Sequence, residues 1–168
     1  MNSEDDIFKR FLNDLDEIAF NDAPSSIDSV RMLLDESKDE DWEKAKEIYE
    51  EIRVDLTDIS KISVNLQKTE RIVTRVKDHL FFKEHIIIVD DVIEKRRLDA
   101  DPEIVNSWSR LCVGDFVPSD VDLFAHEQVE SILVKRKELD YKSAHKEALA
   151  RGYTWNPEEA YNGDPGES

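Results

Sequence analysis

The chain has 168 residues, a length that fits one domain or one domain with an appendage. Only four glycines and five prolines are present, which favours helices over a β-sandwich or barrel, folds that need many turns. The formal net charge of -17 argues against general attraction to phosphate backbones, so any nucleic-acid site would have to be local.

Short sequence features argue against further classes. Cys112 is the single cysteine and has no partner for an intrachain disulfide. The N-terminal segment MNSEDD is acidic where a signal peptide is basic and then apolar, and the longest strictly apolar run, Ile86–Val89, is too short to cross a bilayer. We therefore expect no membrane association and a protein of the cytoplasm, or one delivered into a target cell without a signal peptide.

Residues 1–59 are predicted to form an acidic helical extension. Apolar residues at helical spacing predict a helix before Asn21, a short one after Ser26 and a third from about Glu40 to Val54. Residues 1–70 carry 20 acidic and 9 basic side chains. A polar break at Asp55–Ser63 marks the predicted boundary with a second unit at 60–162, followed by a disordered tail at 163–168.

The second unit is predicted to be helical with one small β-hairpin. A helix is expected from about Leu66 to Leu80, and two apolar runs around Asp90-Asp91 predict the hairpin. Further helices start at Asp101-Pro102, at Pro118-Ser119 with Asp122 as an acidic capping residue, and near Asp140. The fold class is therefore mainly α, a helical domain with a small β-hairpin and an acidic helical N-terminal extension.

All four histidines lie after residue 78, at positions 79, 85, 126 and 145. Asp122, His126 and Glu130 follow each other at i, i+4 and i+8 and form one ridge of a helix, with Glu127 nearby. A carboxylate next to a histidine raises its basicity and fixes its tautomer, as a general base or a metal ligand requires. The alternatives are surface ion pairs along this ridge and, for His79, a hydrogen-bonded core histidine. We expect the four histidines to converge.

Several known motifs are absent, and the basic residues are grouped. The zinc-protease motif H-E-x-x-H fails because position 130 is glutamate, and there is no glycine-rich phosphate loop. Nine of the 14 basic residues after position 70 lie in Arg71–Lys77, Lys95–Arg97 and Lys135–Lys137. Arg96 and Arg97, followed by two aspartates, are either a phosphate clamp or a hairpin edge balanced by its own ion pairs.

A series of motifs resembles a known family. These are VKDHLFFKEH at Val76–His85, RLDADPEI at Arg97–Ile104, SWSRL at Ser107–Leu111 with Gly114, HEQVE at His126–Glu130 after Asp122, YKSAH at Tyr141–His145, and Trp155-Asn156-Pro157. In this order they resemble a C-terminal toxin domain of bacterial polymorphic toxins, found behind LXG-type and RHS-type delivery regions and associated with nuclease action inside competing cells. The resemblance covers roughly residues 60–160, and residues 1–59 are too short for a delivery region.

The resemblance implies a nuclease site, a nucleic-acid substrate and a cognate immunity protein. It implies six catalytic residues in one site, His79, His85, His126, Glu127, Glu130 and His145, with Arg97 and Arg110 beside them to bind substrate. Acid–base chemistry and assistance by a divalent metal ion both remain open. The competing hypothesis is a non-catalytic interaction module, in which the histidines are structural and the acidic helices dock on a basic partner.

Overall fold

In a computed structural model of the chain, residues 32–161 are described. They form six α-helices, a hairpin and two short helical turns: α1 (Asp39–Val54), α2 (Asp58–Leu66), α3 (Glu70–Lys77), a π-helical turn (Asp78–Phe82), β1 (His85–Val89), β2 (Val92–Arg96), α4 (Pro102–Val113), α5 (Pro118–Lys137), α6 (Tyr141–Ala150) and a 3-10 turn (Pro157–Ala160). The prediction of a mainly α fold with a small hairpin is confirmed. Among these helices, none has the length and apolar character needed to cross a membrane.

An apolar core holds α1, α2, α3 and α4 together. Phe81, from the π-helical turn, is completely buried within it. Its ring meets the rings of Tyr49 and Trp108 edge-on, at centroid distances of 4.7 and 5.1 Å. Edge-to-face aromatic pairs add roughly 0.5–1.5 kcal/mol to the gain from burial. The π-helical turn that supplies Phe81 is thus fixed from both sides.

Helix α5 lies between this core and a second, smaller apolar cluster. Phe124 packs into the first core, whereas Val129 and Leu133 pack against Ala144 and Ala148 of α6. Every residue from 126 to 131 is buried, so at this level the helix is covered on all sides. The polar side chains of this stretch are consequently held inside the protein.

The described part of the acidic extension is not a separate unit. The predicted boundary after residue 59 falls inside α2, and Ala45, Tyr49 and Ile52 of α1 share the apolar core with α2 to α4. The predicted polar break at Asp55–Ser63 is wrong, because α2 occupies most of it. The carboxylate of Asp58 is buried, where it accepts hydrogen bonds from Lys77 Nζ (2.8 Å) and Trp108 Nε1 (3.1 Å).

Helix α1 confirms the third predicted helix, while the first predicted helix and the tail lie outside the described residues. Of the second, only its end is described, and Leu33 and Leu34 are not helical. The helix expected from Leu66 starts later, at Glu70. Leu66 ends α2 instead, and Gln67 follows it in the left-handed conformation (φ 52°).

The hairpin forms where the sequence predicts it. Strands β1 and β2 are antiparallel, with Val89 opposite Val92 and His85 opposite Arg96. Asp90 and Asp91 both have positive φ, 48° and 63°, as the two central residues of a type I′ turn require. His85, the first residue of β1, lies beside the π-helical turn, where its ring contacts that of His79.

Helix α4 has the predicted ends, whereas the start and the burial pattern of the later helices differ in detail. Asp101 Oδ1 accepts a hydrogen bond from the Glu103 amide at 2.8 Å, and Gly114 ends α4 with φ 82°. At the start of α5 the carboxylate that accepts from the Val117 amide belongs to Asp120, not to Asp122. In α6, Ala148 is buried, whereas its neighbour Leu149 is 41% exposed.

Candidate active site

Four elements bring the six predicted catalytic residues together. The π-helical turn carries His79, the first residue of β1 is His85, α5 carries His126, Glu127 and Glu130, and α6 carries His145. We call these six residues the histidine cluster. His79, Leu80 and Phe81 are consecutive and all buried. Three neighbouring side chains point inward here because a π-helical turn is wider than an α-helical turn. The predicted convergence of the histidines is present in the fold.

One side of the histidine cluster is a triangle of three ligand-type atoms. Glu130 Oε1 lies 2.8 Å from His126 Nε2 and 2.6 Å from His145 Nδ1, and the two nitrogens are 3.0 Å apart. His126 and Glu130 are one helical turn apart on α5, as predicted. The side chain of His145 is 43% exposed, so this side of the cluster reaches the surface.

The backbone fixes the tautomer of His126. Its Nδ1 lies 2.6 Å from the carbonyl oxygen of Tyr153, which only accepts hydrogen bonds, so Nδ1 carries a proton. In neutral His126 the lone pair of Nε2 would then face the Glu130 carboxylate. This arrangement needs positive charge, either a second proton on His126 or a cation among the three atoms. A ring nitrogen that donates to a backbone carbonyl is also the usual support of a metal-ligating histidine.

Glu130 links this triangle to the other side of the histidine cluster. Its Oε2 lies 3.3 Å from His79 Nε2, and Glu127 Oε2 lies 3.5 Å from the same nitrogen. All three residues are buried. The carboxylate of Glu130 therefore directs one oxygen to each side, so that a change of charge on one side is felt on the other.

His85 supports His79 from behind. Its Nε2 donates to the backbone carbonyl of His79 at 2.8 Å, and the two rings meet edge-on with centroids 4.6 Å apart. Tyr141 of α6 lies between His85 and His145, with ring centroids 5.6 and 6.2 Å away. Tyr141 is not among the site residues predicted from the sequence. Its position four residues before His145, on the same helical face, is the signal that would have placed it in the site.

The histidine cluster contains buried polar atoms without a hydrogen-bond partner. These are the Nδ1 atoms of His79 and His85 and Oε2 of Glu127. Most buried polar atoms in proteins are paired, because an unpaired one costs roughly 1–3 kcal/mol. The histidine cluster thus has bonding capacity that contacts among the described residues do not use.

Burial and mutual charge separate the two carboxyl groups in pKa. Burial raises the pKa of Glu127, and repulsion from Glu130 adds to this, so Glu127 tends to hold its proton. Burial also opposes ionisation of Glu130, but hydrogen bonds with His126 and His79 outweigh it and lower the pKa of Glu130. Such a pair supplies a neutral acid beside a permanent carboxylate, the division of roles found in acid–base sites.

The histidines differ as well. Burial lowers the pKa of His85, which is therefore neutral near pH 7. Burial also acts to lower the pKa of His126, but the hydrogen bonds with Glu130 and with the Tyr153 carbonyl outweigh it and raise the pKa to about 9. An ionised Glu130 next to a protonated His126 is the charge state that the tautomer argument requires.

Two sets of residues have the composition of a metal site. They are His126, Glu130 and His145 on one side, and His79, Glu127 and Glu130 on the other, with the ligand atoms of each set within 4.8 Å of one another. Imidazole and carboxylate ligands suit zinc and other divalent transition metals. The first set fits such an ion better, because the Tyr153 carbonyl orients His126 and because His145 leaves a way in from solvent.

The two arginines predicted to bind substrate form their hydrogen bonds with residues outside the histidine cluster. Arg110 is buried and forms a bidentate ion pair with Asp120, both bonds 2.8 Å long, which joins α4 to α5. Arg97 is exposed and donates to the carbonyl of Phe82 at 3.2 Å. Arg110 is therefore structural, and Arg97 supports the base of the hairpin. Asp122, the first residue of the predicted ridge, is exposed and does not join the site.

Arg96 forms the ion pairs of a hairpin edge, with Glu94 and with Asp99, both at 2.9 Å. Of the two interpretations of this basic pair, balance by neighbouring carboxylates is the one that the structure supports.

No protein-family model, curated protein or solved structure matches this chain. The similarity to polymorphic-toxin domains therefore stays a prediction from the motifs.

Proposed function

We propose that the chain is a nuclease of the polymorphic-toxin type, which hydrolyses phosphodiester bonds of RNA or DNA at the histidine cluster. One observation carries the proposal: two histidines, His126 and His145, are held on a single ionised carboxylate, and one of them is open to solvent. A base held by a buried orienting group is the arrangement that activates nucleophiles in many unrelated enzymes.

In the proposed mechanism His145 is the general base. With its Nδ1 proton held by Glu130 at 2.6 Å, its Nε2 lone pair is free to take a proton from water or from a ribose 2′-hydroxyl. Protonated His126 balances the charge of Glu130 and keeps it in place. The oxygen of the nucleophile bonds to phosphorus as the bond to the leaving oxygen breaks, and protonated His145 returns the proton to that oxygen through water.

A divalent metal ion would be held by His126, Glu130 and His145. Such an ion lowers the pKa of bound water and stabilises developing negative charge. The protein residues would then act as ligands, and the Tyr153 carbonyl would keep the His126 ring in the orientation that a ligand needs.

The test is incubation of the purified protein with total RNA and with plasmid DNA, with and without EDTA. We expect cleavage by the wild type and a loss of at least about a hundredfold in His145→Gln and in His126→Ala, the size of a lost acid–base group. Lys146→Gln, a change at the exposed neighbour of His145, is the matched control. Cleavage at the wild-type rate by folded His145→Gln would contradict the mechanism, and loss of cleavage in EDTA would assign the metal-assisted form.

The proposal also entails a cognate immunity protein, because an active nuclease harms the cell that makes it. Expression of the wild type alone is expected to stop growth, and expression of His145→Gln is not. Normal growth at a high level of folded wild-type protein would contradict the toxin proposal.

The competing function is a non-catalytic interaction module, and one observation favours it. His79, His85 and His126 are each at most 3% exposed, as structural histidines are. Under this alternative, all variants of the histidine cluster would change stability without any nuclease activity to lose.

A further inference from the structure

A pocket of about 310 Å³ opens beside the histidine cluster, between α3, the π-helical turn and α5. His79 forms part of its wall. Four basic side chains also line it, Arg71, Arg75, Lys83 and Lys135, together with one carboxylate, Asp78. In a chain with 40 acidic and 23 basic side chains, a pocket lined mainly by cations needs an explanation.

The pocket is assembled from separate basic runs of the sequence. Arg71 and Arg75 are one helical turn apart and so lie on the same face of α3. Lys135 belongs to the last turn of α5, which packs against α3. Lys83 follows the π-helical turn directly. The fold therefore concentrates positive charge at one place, as a nucleic-acid site on an acidic protein requires.

These four cations have no ion-pair partner among the described residues. Within residues 32–161, none of the four forms an ion pair, although Arg53, Arg96 and Arg151 all do. Burial lowers the pKa of Arg75, and repulsion from Arg71 and from Arg136 lowers it further. Like charges one helical turn apart destabilise a helix by about 0.2–0.5 kcal/mol per pair. The arrangement costs stability in the absence of an anion and is relieved by one.

We propose that this pocket binds a phosphate group of a nucleic acid. Arginine matches phosphate oxygens with paired N–H donors, and lysine adds a mobile point charge. The volume is at the lower end of the range for small-ligand sites, about 300–1,000 Å³, which suits one phosphate with its sugar rather than a length of duplex. The role of this phosphate in cleavage rests on the proposed function, but its binding does not.

The contacts connect the pocket to the catalytic groups. His79 lines the pocket, and its Nε2 lies 3.3 Å from Glu130, which in turn contacts His126 and His145. A phosphate bound here would lie one side chain away from the ionised carboxylate. A phosphate in the pocket would therefore be linked to the catalytic groups through His79 and Glu130.

The test is a binding assay that does not depend on cleavage. A fluorescent single-stranded RNA oligonucleotide is titrated with full-length protein in EDTA, and orthophosphate is used as a competitor. Arg75→Gln and Lys135→Gln are expected to weaken binding about ten- to a hundredfold, as lost charge-assisted hydrogen bonds do. Each should lower the slope of log affinity against log salt by about one. Lys95→Gln removes the same charge from exposed β2 and should change affinity less than about twofold.

Equal binding by the pocket variants and by Lys95→Gln would overturn the inference. The inference would also be overturned if the pocket variants bind the oligonucleotide as tightly as the wild type and orthophosphate still displaces it from them. If orthophosphate alone is bound, and lost in both pocket variants, the phosphate pocket stands and the nucleic-acid source is wrong. A wild type that binds RNA through Arg75 but never cleaves it would contradict the proposed function and leave this inference intact.

Discussion

Two regions of this protein hold buried polar groups, and they differ in how completely these groups are hydrogen-bonded. Around α4 they are satisfied: Asn106 bonds to the Leu33 and Leu34 backbone and to the Tyr161 hydroxyl, and Asp58 joins Lys77 to Trp108. In the histidine cluster, three buried atoms have no partner. The buried groups named around α4 complete their hydrogen bonds, whereas the histidine cluster keeps three open positions.

The largest effect on activity is expected at Glu130, the residue shared by both sides of the histidine cluster. Glu130→Gln keeps the size but removes the charge that holds His126 and His145. We expect nuclease activity to fall about 10²–10⁴-fold, with the far-UV circular dichroism spectrum unchanged. Wild-type cleavage rates in the folded variant would show that Glu130 belongs with the structural groups.

The opposite result, a loss of stability without a loss of activity, is expected at Arg110. This residue lies in the region around α4, where the buried polar groups named above are hydrogen-bonded. Arg110→Met leaves the Asp120 carboxylate buried without its ion-pair partner. One-sided removal of a buried pair costs about 3–5 kcal/mol, measured here as the free energy of unfolding in urea. Activity per folded molecule should remain.

The double variant Arg110→Met/Asp120→Leu is the control. It should regain part of the lost stability, because no charge is left buried. The Val117 amide, which donates to Asp120, keeps the recovery incomplete. If Arg110→Met is as stable as the wild type, Arg110 does not have the structural role assigned to it.

The pH dependence of stability sharpens the comparison further. The pKa of folded His126, about 9, is above its ordinary value of 6.5. The stabilisation from its protonation is therefore complete below pH 6.5 and is lost as the pH rises towards 9. In EDTA, we expect the free energy of unfolding to fall by on the order of 2 kcal/mol over this interval. His126→Gln should remove this contribution of His126.

Glu127 acts in the same direction and provides the internal check. Burial raises the pKa of its carboxyl in the folded protein, so ionisation at higher pH also destabilises the fold. The slope that comes from Glu127 should survive in His126→Gln. An unchanged pH profile in that variant would assign the whole dependence to other groups.

The smallest effect is expected at Asp122, which has the same spacing from His126 as Glu130 but on the preceding turn. It is exposed and makes no contact with the histidine cluster. Asp122→Asn should change stability by less than about 0.5 kcal/mol and leave cleavage unchanged. A large loss of activity would mean that the ridge predicted from the sequence acts as a whole.

Sequence patterns predicted those features whose causes are local. The aspartate, proline and glycine that start and end α4 are close to the backbone groups they serve, and so are the two aspartates of the hairpin turn. The spacing of His126 and Glu130 on one helix likewise placed both in the site. Each of these depends on neighbours within a few residues.

Features that depend on distant partners were missed or misjudged. Asp58, in the stretch predicted to be a polar break, is instead buried, and its carboxylate meets Lys77 and Trp108, which lie in other helices. Arg110 was predicted to bind substrate, but in the fold it forms a buried ion pair with Asp120. The phosphate pocket was visible in sequence only as basic runs, since the packing of α3 on α5 brings them together.

The π-helical turn at Asp78–Phe82 has a consequence for how the chain can vary. A π-helical turn holds one residue more than an α-helical turn would, and each residue advances an α-helix by about 100°. Deleting a single residue here would let the turn relax to α geometry and rotate the following side chains around the axis. Phe81 would leave its two aromatic neighbours, and His79 would lose its orientation towards Glu130. The length of this short segment is therefore constrained in addition to its buried side chains.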